Sequence, residues 1–140
     1  MVTALSRALE GRPCVVFSDA LRVRAVATGF AGYPDVTVVC DALSRDPEDK
    51  NTVTNPTVVV EVLSPSTEDY DRGEKFAQYR TMSSLRHVVF IHHEVAKVDV
   101  WTRADNDWSE CSFGAEDCAP LAALGCELDV GALYRDPLAR

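Results

Sequence analysis

Residues 57–80 read TVVVEVLSPSTEDYDRGEKFAQYR, and this stretch decides the fold. Thr57 to Leu63 is a valine-rich run of strand length. Ser64-Pro65-Ser66 is a sharp turn. Asp71-Arg72-Gly73-Glu74 then has the form of a capping box, with Asp71 as N-cap, although Ser66 to Asp69 offers an earlier start. The helix that follows runs to about Met82, with Phe76, Tyr79 and Met82 towards the core. Strands so rich in valine are covered on both faces. Side chains alternate along a strand, so Glu61 shares a face with Thr57, Val59 and Leu63. A carboxylate in such a run is costly to bury unless it is paired, hydrogen-bonded or bound to a metal. Glu61 therefore calls for a partner, and Asp35 and Lys75 are the leading candidates.

Upstream, residues 3–10 (TALSRALE) have helical spacing, with Ala4, Leu5, Ala8 and Leu9 on one face, and Gly11 and Pro13 end the helix. Residues 14–18 and 22–27 are strand-like, and 28–34 (TGFAGYP) form a loop. Asp35 follows Pro34 and opens the strand DVTVVC, whose faces alternate as Asp35, Thr37, Val39 against Val36, Val38, Cys40. The polar stretch 41–56 is expected to be a surface loop, so the Asp35 and Glu61 strands are expected to be neighbours. Downstream, residues 87–92, 97–102 and 108–113 form an antiparallel meander. A last strand or turn and a short helix, DVGALYR, close the chain. The whole is a mixed α/β or α+β arrangement, expected as one domain over residues 1–140.

The net charge is −8, divided evenly between the two halves of the chain. The lack of a basic half or tail weighs against strong non-specific nucleic-acid binding, which depends on clustered Lys and Arg. It does not exclude a metal-dependent nuclease, whose ligands are acidic. No run approaches the length of a transmembrane helix and the N-terminus has no signal-peptide pattern, so the expected location is the cytoplasm, with no membrane partner. The five cysteines are odd in number, and two lie in apolar strand-like runs, which suits reduced thiols. There is no C-x-x-C pair to hold a structural zinc.

An Asp at a strand start, a Glu within a following strand and a nearby Lys form a nuclease grammar. Two carboxylates on adjacent strands can hold Mg²⁺, which prefers oxygen ligands and keeps several waters. The metal activates a water near neutral pH, and a lysine orients it or stabilises charge on the phosphate. YPDVTVV, then NPTVVVEVLSPSTEDYDRGEKFAQYR, then SLRHVVFI resembles the Uma-type family of restriction-endonuclease-like domains, within the PD-(D/E)XK nuclease superfamily. The match runs from Ala4 to the closing LYRD at 133–136, and its most specific part is EVLSPST followed by the D-x-G-E-K helix start.

The resemblance implies a restriction-endonuclease-like mixed β-sheet with flanking helices. It implies that Asp35 and Glu61 bind Mg²⁺ or Mn²⁺. Leu63 stands where the superfamily has its strand lysine, and Lys75 from the helix is the implied substitute. Asp19 and Tyr79 are implied near the site. Family members usually carry an N-terminal region with a Tyr-Glu-Leu-Ile-Asp-Gly-Glu hairpin, which has no counterpart here, so a short N-terminus and a homodimer covering exposed strands are expected.

Blander readings compete. Asp35 can cap a turn after proline. Asp71 and Lys75 are spaced i, i+4, acid first, as in a surface helix ion pair. Arg72 and Arg80 read as solvated helix residues. His92-His93-Glu94 reads as a polar hairpin tip rather than a metal cluster, Trp101 and Trp108 as half-buried meander aromatics, and Ser64 and Ser66 as turn residues with no base to activate them. Two functional expectations follow. One is a metal-dependent endonuclease hydrolysing DNA phosphodiester bonds through Asp35, Glu61 and Lys75. The other is a non-catalytic nuclease-fold domain serving dimerisation or partner binding. A metal-independent nucleic-acid binder is the weakest, for want of a basic stripe.

Overall fold

A computed structural model describes residues 2–135. Its backbone is a six-stranded sheet in the order β1-β4-β7-β8-β9-β10. These strands are β1 Cys14–Phe17, β4 Val36–Cys40, β7 Val58–Val62, β8 His87–Ile91, β9 Lys97–Ala104 and β10 Asp107–Gly114. The β7–β8 pair is parallel and the other four pairs are antiparallel. The parallel pair needs a crossover, which the central helix supplies. The expected adjacency of the Asp35 and Glu61 strands is observed: β4 pairs with β7 in the register Val36↔Val60, Thr37↔Val59, Val38↔Val58.

Alternation along these strands builds two cores, one on each face of the sheet. Val36, Val38, Val58, Val60, Val89, Val98 and Val100 pack with Leu5 of the first helix (Val2–Ala8), with Leu9 just after it and with the C-terminal segment. Of the expected helix face, Ala4 is exposed. The C-terminal segment is a hairpin, β11 Cys118–Leu121 with β12 Cys126–Asp129, followed by the helix Val130–Arg135. Asp129 Oδ1 accepts from the Ala132 N–H and caps that helix. Asp136, the last residue of the family resemblance, lies outside the described residues.

On the other face Val39, Val59, Leu63, Val88 and Phe90 pack against Phe76, Tyr79, Met82 and Leu85 and against a second, four-stranded sheet. That sheet has the order β3-β2-β6-β5, with β2 Arg22–Ala25, β3 Phe30–Gly32, β5 Arg45–Asp46 and β6 Asp49–Val53. It corrects the reading of 28–34 and 41–56 as loops. The strands are short, two of them (Arg45–Asp46 and Asp49–Val53) largely polar, and what fixes them is tertiary. Val23, Ala25 and Val53 are fully buried, and Arg24 pairs with the buried Asp46 across the sheet.

The expectation of reduced thiols fails for one pair. Cys14 and Cys40 stand opposite each other on β1 and β4 and are joined by a disulfide. Residues directly opposite on antiparallel strands are close enough to bond, and only the register reveals that these two are so placed. Cys111, Cys118 and Cys126 are free thiols. Among the described residues no helix is long and apolar enough to cross a membrane.

Candidate functional site

The β4–β7 register carried one step beyond Val36↔Val60 sets Asp35 opposite Glu61. Glu61 in turn pairs with Phe90 on β8, Phe90 with Asp99 on β9, and Asp99 with Ser112 on β10. Asp35, Glu61, Phe90, Asp99 and Ser112 therefore form one row across the face that the central helix covers.

The helix begins with an α-turn at Glu68–Tyr70, passes through a π-helical stretch at Asp71–Lys75 and ends as α-helix at Phe76–Tyr79. Asp71 is thus not the N-cap expected from its capping-box pattern; Thr67 holds that position, close to the earlier start. Within the π-helical stretch the Phe76 N–H bonds to the Asp71 carbonyl, five residues back. Asp71 is buried and Arg72 and Lys75 are partly buried, the two cations lying over the sheet row, while Gly73 and Glu74 face solvent.

Glu61 is 3% exposed. The Lys75 Nζ forms an ion pair with its Oε2, and the Tyr79 hydroxyl donates to the same oxygen at 2.9 Å. No hydrogen bond to Oε1 is present among the described residues. Lys75 also lies 3.8 Å from Asp71 Oδ1, so the i, i+4 pair exists, but as the longer of its two contacts and in a buried setting. Burial pushes the Glu61 carboxyl above the usual carboxylate range, and Lys75 and Tyr79 offset only part of that. Burial, with the Glu61 charge beside it, raises the Tyr79 phenol, which stays protonated as a donor. The Tyr79 ring meets Phe30 edge-on at 5.9 Å, closing the site from the β3 side.

Asp35 is half-buried just before β4, and its Oδ2 accepts from the Val62 N–H at 2.7 Å. It thereby fixes the chain next to Glu61. The sequence-derived residues Glu61, Lys75 and Tyr79 are in direct contact, and Asp35 is tied to the residue after Glu61. Asp19 is exposed in the turn between β1 and β2.

A second polar cluster, which the sequence reading missed, lies beyond Phe90. Asp99 is buried and accepts from Arg72 Nη2, from Ser112 Oγ at 2.6 Å and from His92 Nε2 at 2.7 Å. Burial alone would raise the Asp99 carboxyl, but these three donors outweigh it and lower the carboxyl to about 2. Arg72 also reaches Glu68 and Glu110 and lies 5.2 Å from the Phe90 ring centre. It is therefore a committed structural cation, not the solvated residue expected. The signal was present: Asp99 interrupts the apolar alternation of KVDVW as Glu61 interrupts its valine run. Trp101 and Trp108 pack on Phe76, at 4.8 and 5.8 Å between ring centres, as half-buried meander aromatics. Ser64 bonds within its turn to Ser66 and Thr67.

Among the described residues there is no group of three or more His, Cys, Asp or Glu that could hold a metal ion. The donor set available at the site is two carboxylates on facing strand positions. That suits a hard cation that keeps most of its water, such as Mg²⁺, and does not suit a closed all-protein cage.

The model of the Uma2 family, described as "Putative restriction endonuclease", matches residues 1–131. Two relatives come from Synechocystis sp. (strain ATCC 27184 / PCC 6803 / Kazusa). The "Uncharacterized protein slr1290" is 35% identical over 128 residues, 91% of this chain and 66% of that protein. The "Uncharacterized protein sll1609" is 32% identical over 94 residues, 66% of this chain and 53% of that protein. The chain thus spans somewhat under two thirds of one relative and about half of the other. Among solved structures, a "putative nuclease belonging to DUF820" from Anabaena variabilis ATCC 29413 superposes with a TM-score of 0.75. That alignment covers 95% of this chain and 75% of the other at 16% identity, a likeness of fold.

Proposed function

Because the chain belongs to the Uma2 family, we propose that it is a metal-dependent endonuclease hydrolysing DNA phosphodiester bonds, with Asp35, Glu61 and Lys75 as its working residues. One observation carries the reading. The helix delivers Lys75 to Glu61 Oε2, on the sheet row that also holds Asp35, so the lysine missing from the strand at Leu63 is replaced from across the site. Asp35 and Glu61 would hold Mg²⁺ or Mn²⁺. When bound, the ion would supply Lewis-acid polarisation of the phosphodiester and an acidified water. The chain's own residues do the rest. The Asp35 bond to Val62 N–H and the Tyr79 bond to Glu61 hold both carboxylates in place, and both Glu61 donors share one oxygen. Lys75 orients the attacking water or stabilises the charge that builds on the phosphate.

The assembly we assign is a homodimer, supported by the eight-residue edge strand β10, mostly exposed and, among the described residues, paired on one side only. A second reading, a non-catalytic nuclease-fold domain for dimerisation or partner binding, is favoured by a different observation. Glu61 already has two donors without a metal. Calorimetry with Mg²⁺ or Mn²⁺, and plasmid nicking on the same preparations, separates the two. Metal binding and nicking that both vanish in Glu61→Ala establish the nuclease. A well-folded wild type that binds no metal and cuts nothing leaves the second reading standing.

A further inference from the structure

Six large hydrophobic side chains are exposed among the described residues, and two of them, Tyr33 and Tyr70, belong to segments that border this site. Tyr33, 58% exposed, lies two residues before Asp35 and next to Gly32. Gly32 in turn sits over the lysine: a Cβ there would stand 3.8 Å from Lys75 Cε. Tyr70, 48% exposed, immediately precedes Asp71, whose carboxylate lies 3.8 Å from the Lys75 ammonium. The aromatic rings of the core are tied to one another: Phe30 to Tyr79, and Phe76 to Phe90, Trp101 and Trp108. Tyr33 and Tyr70 have no ring contact or side-chain hydrogen bond among the described residues.

The charges around the same rim are spent. Lys75 is held by Glu61, Arg72 by Asp99, Glu68 and Glu110, and the chain as a whole carries −8. Affinity for duplex DNA comes largely from uncommitted Lys and Arg on phosphates. Unpaired bases offer a second source, because each exposes a face on which an aromatic ring can stack whatever the sequence. A duplex hides those faces.

We propose that Tyr33 and Tyr70 are stacking platforms for unpaired bases and that the site engages single-stranded DNA. The proposal rests on the reading of Asp35, Glu61 and Lys75 as a nucleic-acid site. The test is fluorescence anisotropy with a labelled oligothymidylate and with a blunt duplex of equal length, using the full chain with and without Mg²⁺. The single strand should bind more tightly than the duplex. Tyr33→Ala and Tyr70→Ala should each weaken it roughly five- to hundredfold, while Tyr33→Phe and Tyr70→Phe hold affinity near wild type. Circular dichroism on each variant reports the fold.

Equal or tighter duplex binding overturns the proposal, as do alanine variants that bind the single strand like wild type. The anisotropy requires no turnover, so the two ideas fail separately. Tyrosine-dependent strand binding without nicking removes the nuclease and keeps the platform. Nicking with tyrosine-independent binding does the reverse.

Discussion

Lys75→Met separates a buried charge pair from a surface one. If Lys75 mainly served the i, i+4 pair with Asp71, its loss would cost about 0.3–0.5 kcal/mol and would fade with salt. The structure places it instead on Glu61, where the lysine side chain is 15% exposed and the glutamate 3%. Removing one partner of such a pair costs about 3–5 kcal/mol when the other stays charged. Glu61 has an escape, which is to take up a proton. From its ordinary value of 4.5, neutralising it at pH 7 costs about 3.4 kcal/mol, and at pH 5 about 0.7 kcal/mol. Protonation therefore caps the loss. The sign follows from a carboxyl whose folded value is already raised and rises further without the lysine. Its stabilising contribution is present below the unfolded value and disappears as pH climbs through the folded one.

The expected outcome is a loss of about 3 kcal/mol at pH 7 that shrinks to under about 1 kcal/mol at pH 5. Urea denaturation at the two pH values, with the m-value held common, measures it. Adding Glu61→Gln should abolish the pH dependence of the Lys75→Met loss, because no carboxyl remains to titrate. A loss that is the same at both pH values in the Glu61 background, or smaller than about 1 kcal/mol at pH 7, would refute the reasoning.

Three further outcomes follow from the same structure. His87 is buried, with Nε2 accepting from the Ala123 N–H and Nδ1 bonded to Thr102 Oγ1, and burial lowers it from 6.5 to about 4. Stability should be intact above pH 6.5 and fall by about 3 kcal/mol as pH drops towards 4; an NMR titration showing His87 near 6.5 would contradict this. Arg72→Met takes the full cation from buried Asp99, leaving it Ser112 and His92 as hydrogen-bond donors, and should cost about 3 kcal/mol at neutral pH, with Asp99→Asn in the same chain recovering part of it; additive losses would sink the pairing. Reducing the Cys14–Cys40 disulfide, which closes a loop of 26 residues, should cost about 3.5 kcal/mol, and intact-mass thiol counting should find three free thiols before reduction and five after.

The valine run with one glutamate, the strand opened by Asp35 and the meander were legible in the sequence, because in each the alternation itself states which face is buried. Lys75 was legible as a candidate partner because the buried-type Glu61 calls for one, but on spacing alone its pair with Asp71 competes as a surface contact, and its role as a substitute for the strand lysine came only through the resemblance. What stayed hidden depended on long-range register. The strand Phe30–Gly32 is too short, and Arg45–Asp46 and Asp49–Val53 too short and polar, for periodicity to show, and they exist because Val23, Ala25 and Val53 must be covered. Asp71 and Glu74 have the spacing of a capping box, yet the chain enters its helix earlier and buries Asp71 beside Lys75. A local pattern of two polar residues is worth about 1 kcal/mol, less than packing the helix face that carries Phe76 and Tyr79.

The sheet row poses a sharper question, since it carries two buried acids under one helix, each with a cation from that helix. Asp99 has three donors divided over both its oxygens, and its carboxyl is held down at about 2. Such a group is saturated. It has nothing left to offer a ligand, and its role is to fasten Arg72, and so the helix, to β9. Glu61 has two donors on one oxygen and is pushed upward by burial. That carboxylate is under-satisfied in its charged form and would gain from a further positive partner. The contrast explains why the helix needs two cations of different kinds. The arginine's fork suits the acid that must stay closed. The lysine's point charge can share Glu61 with an incoming ion or move with a water. If Glu61 holds a metal, its carboxyl should fall below its ordinary range when the ion binds, while Asp99 stays where it is. Carboxyl titration by NMR with and without Mg²⁺ reads both at once, and an unmoved Glu61 would leave it as a structural acid like its neighbour across Phe90.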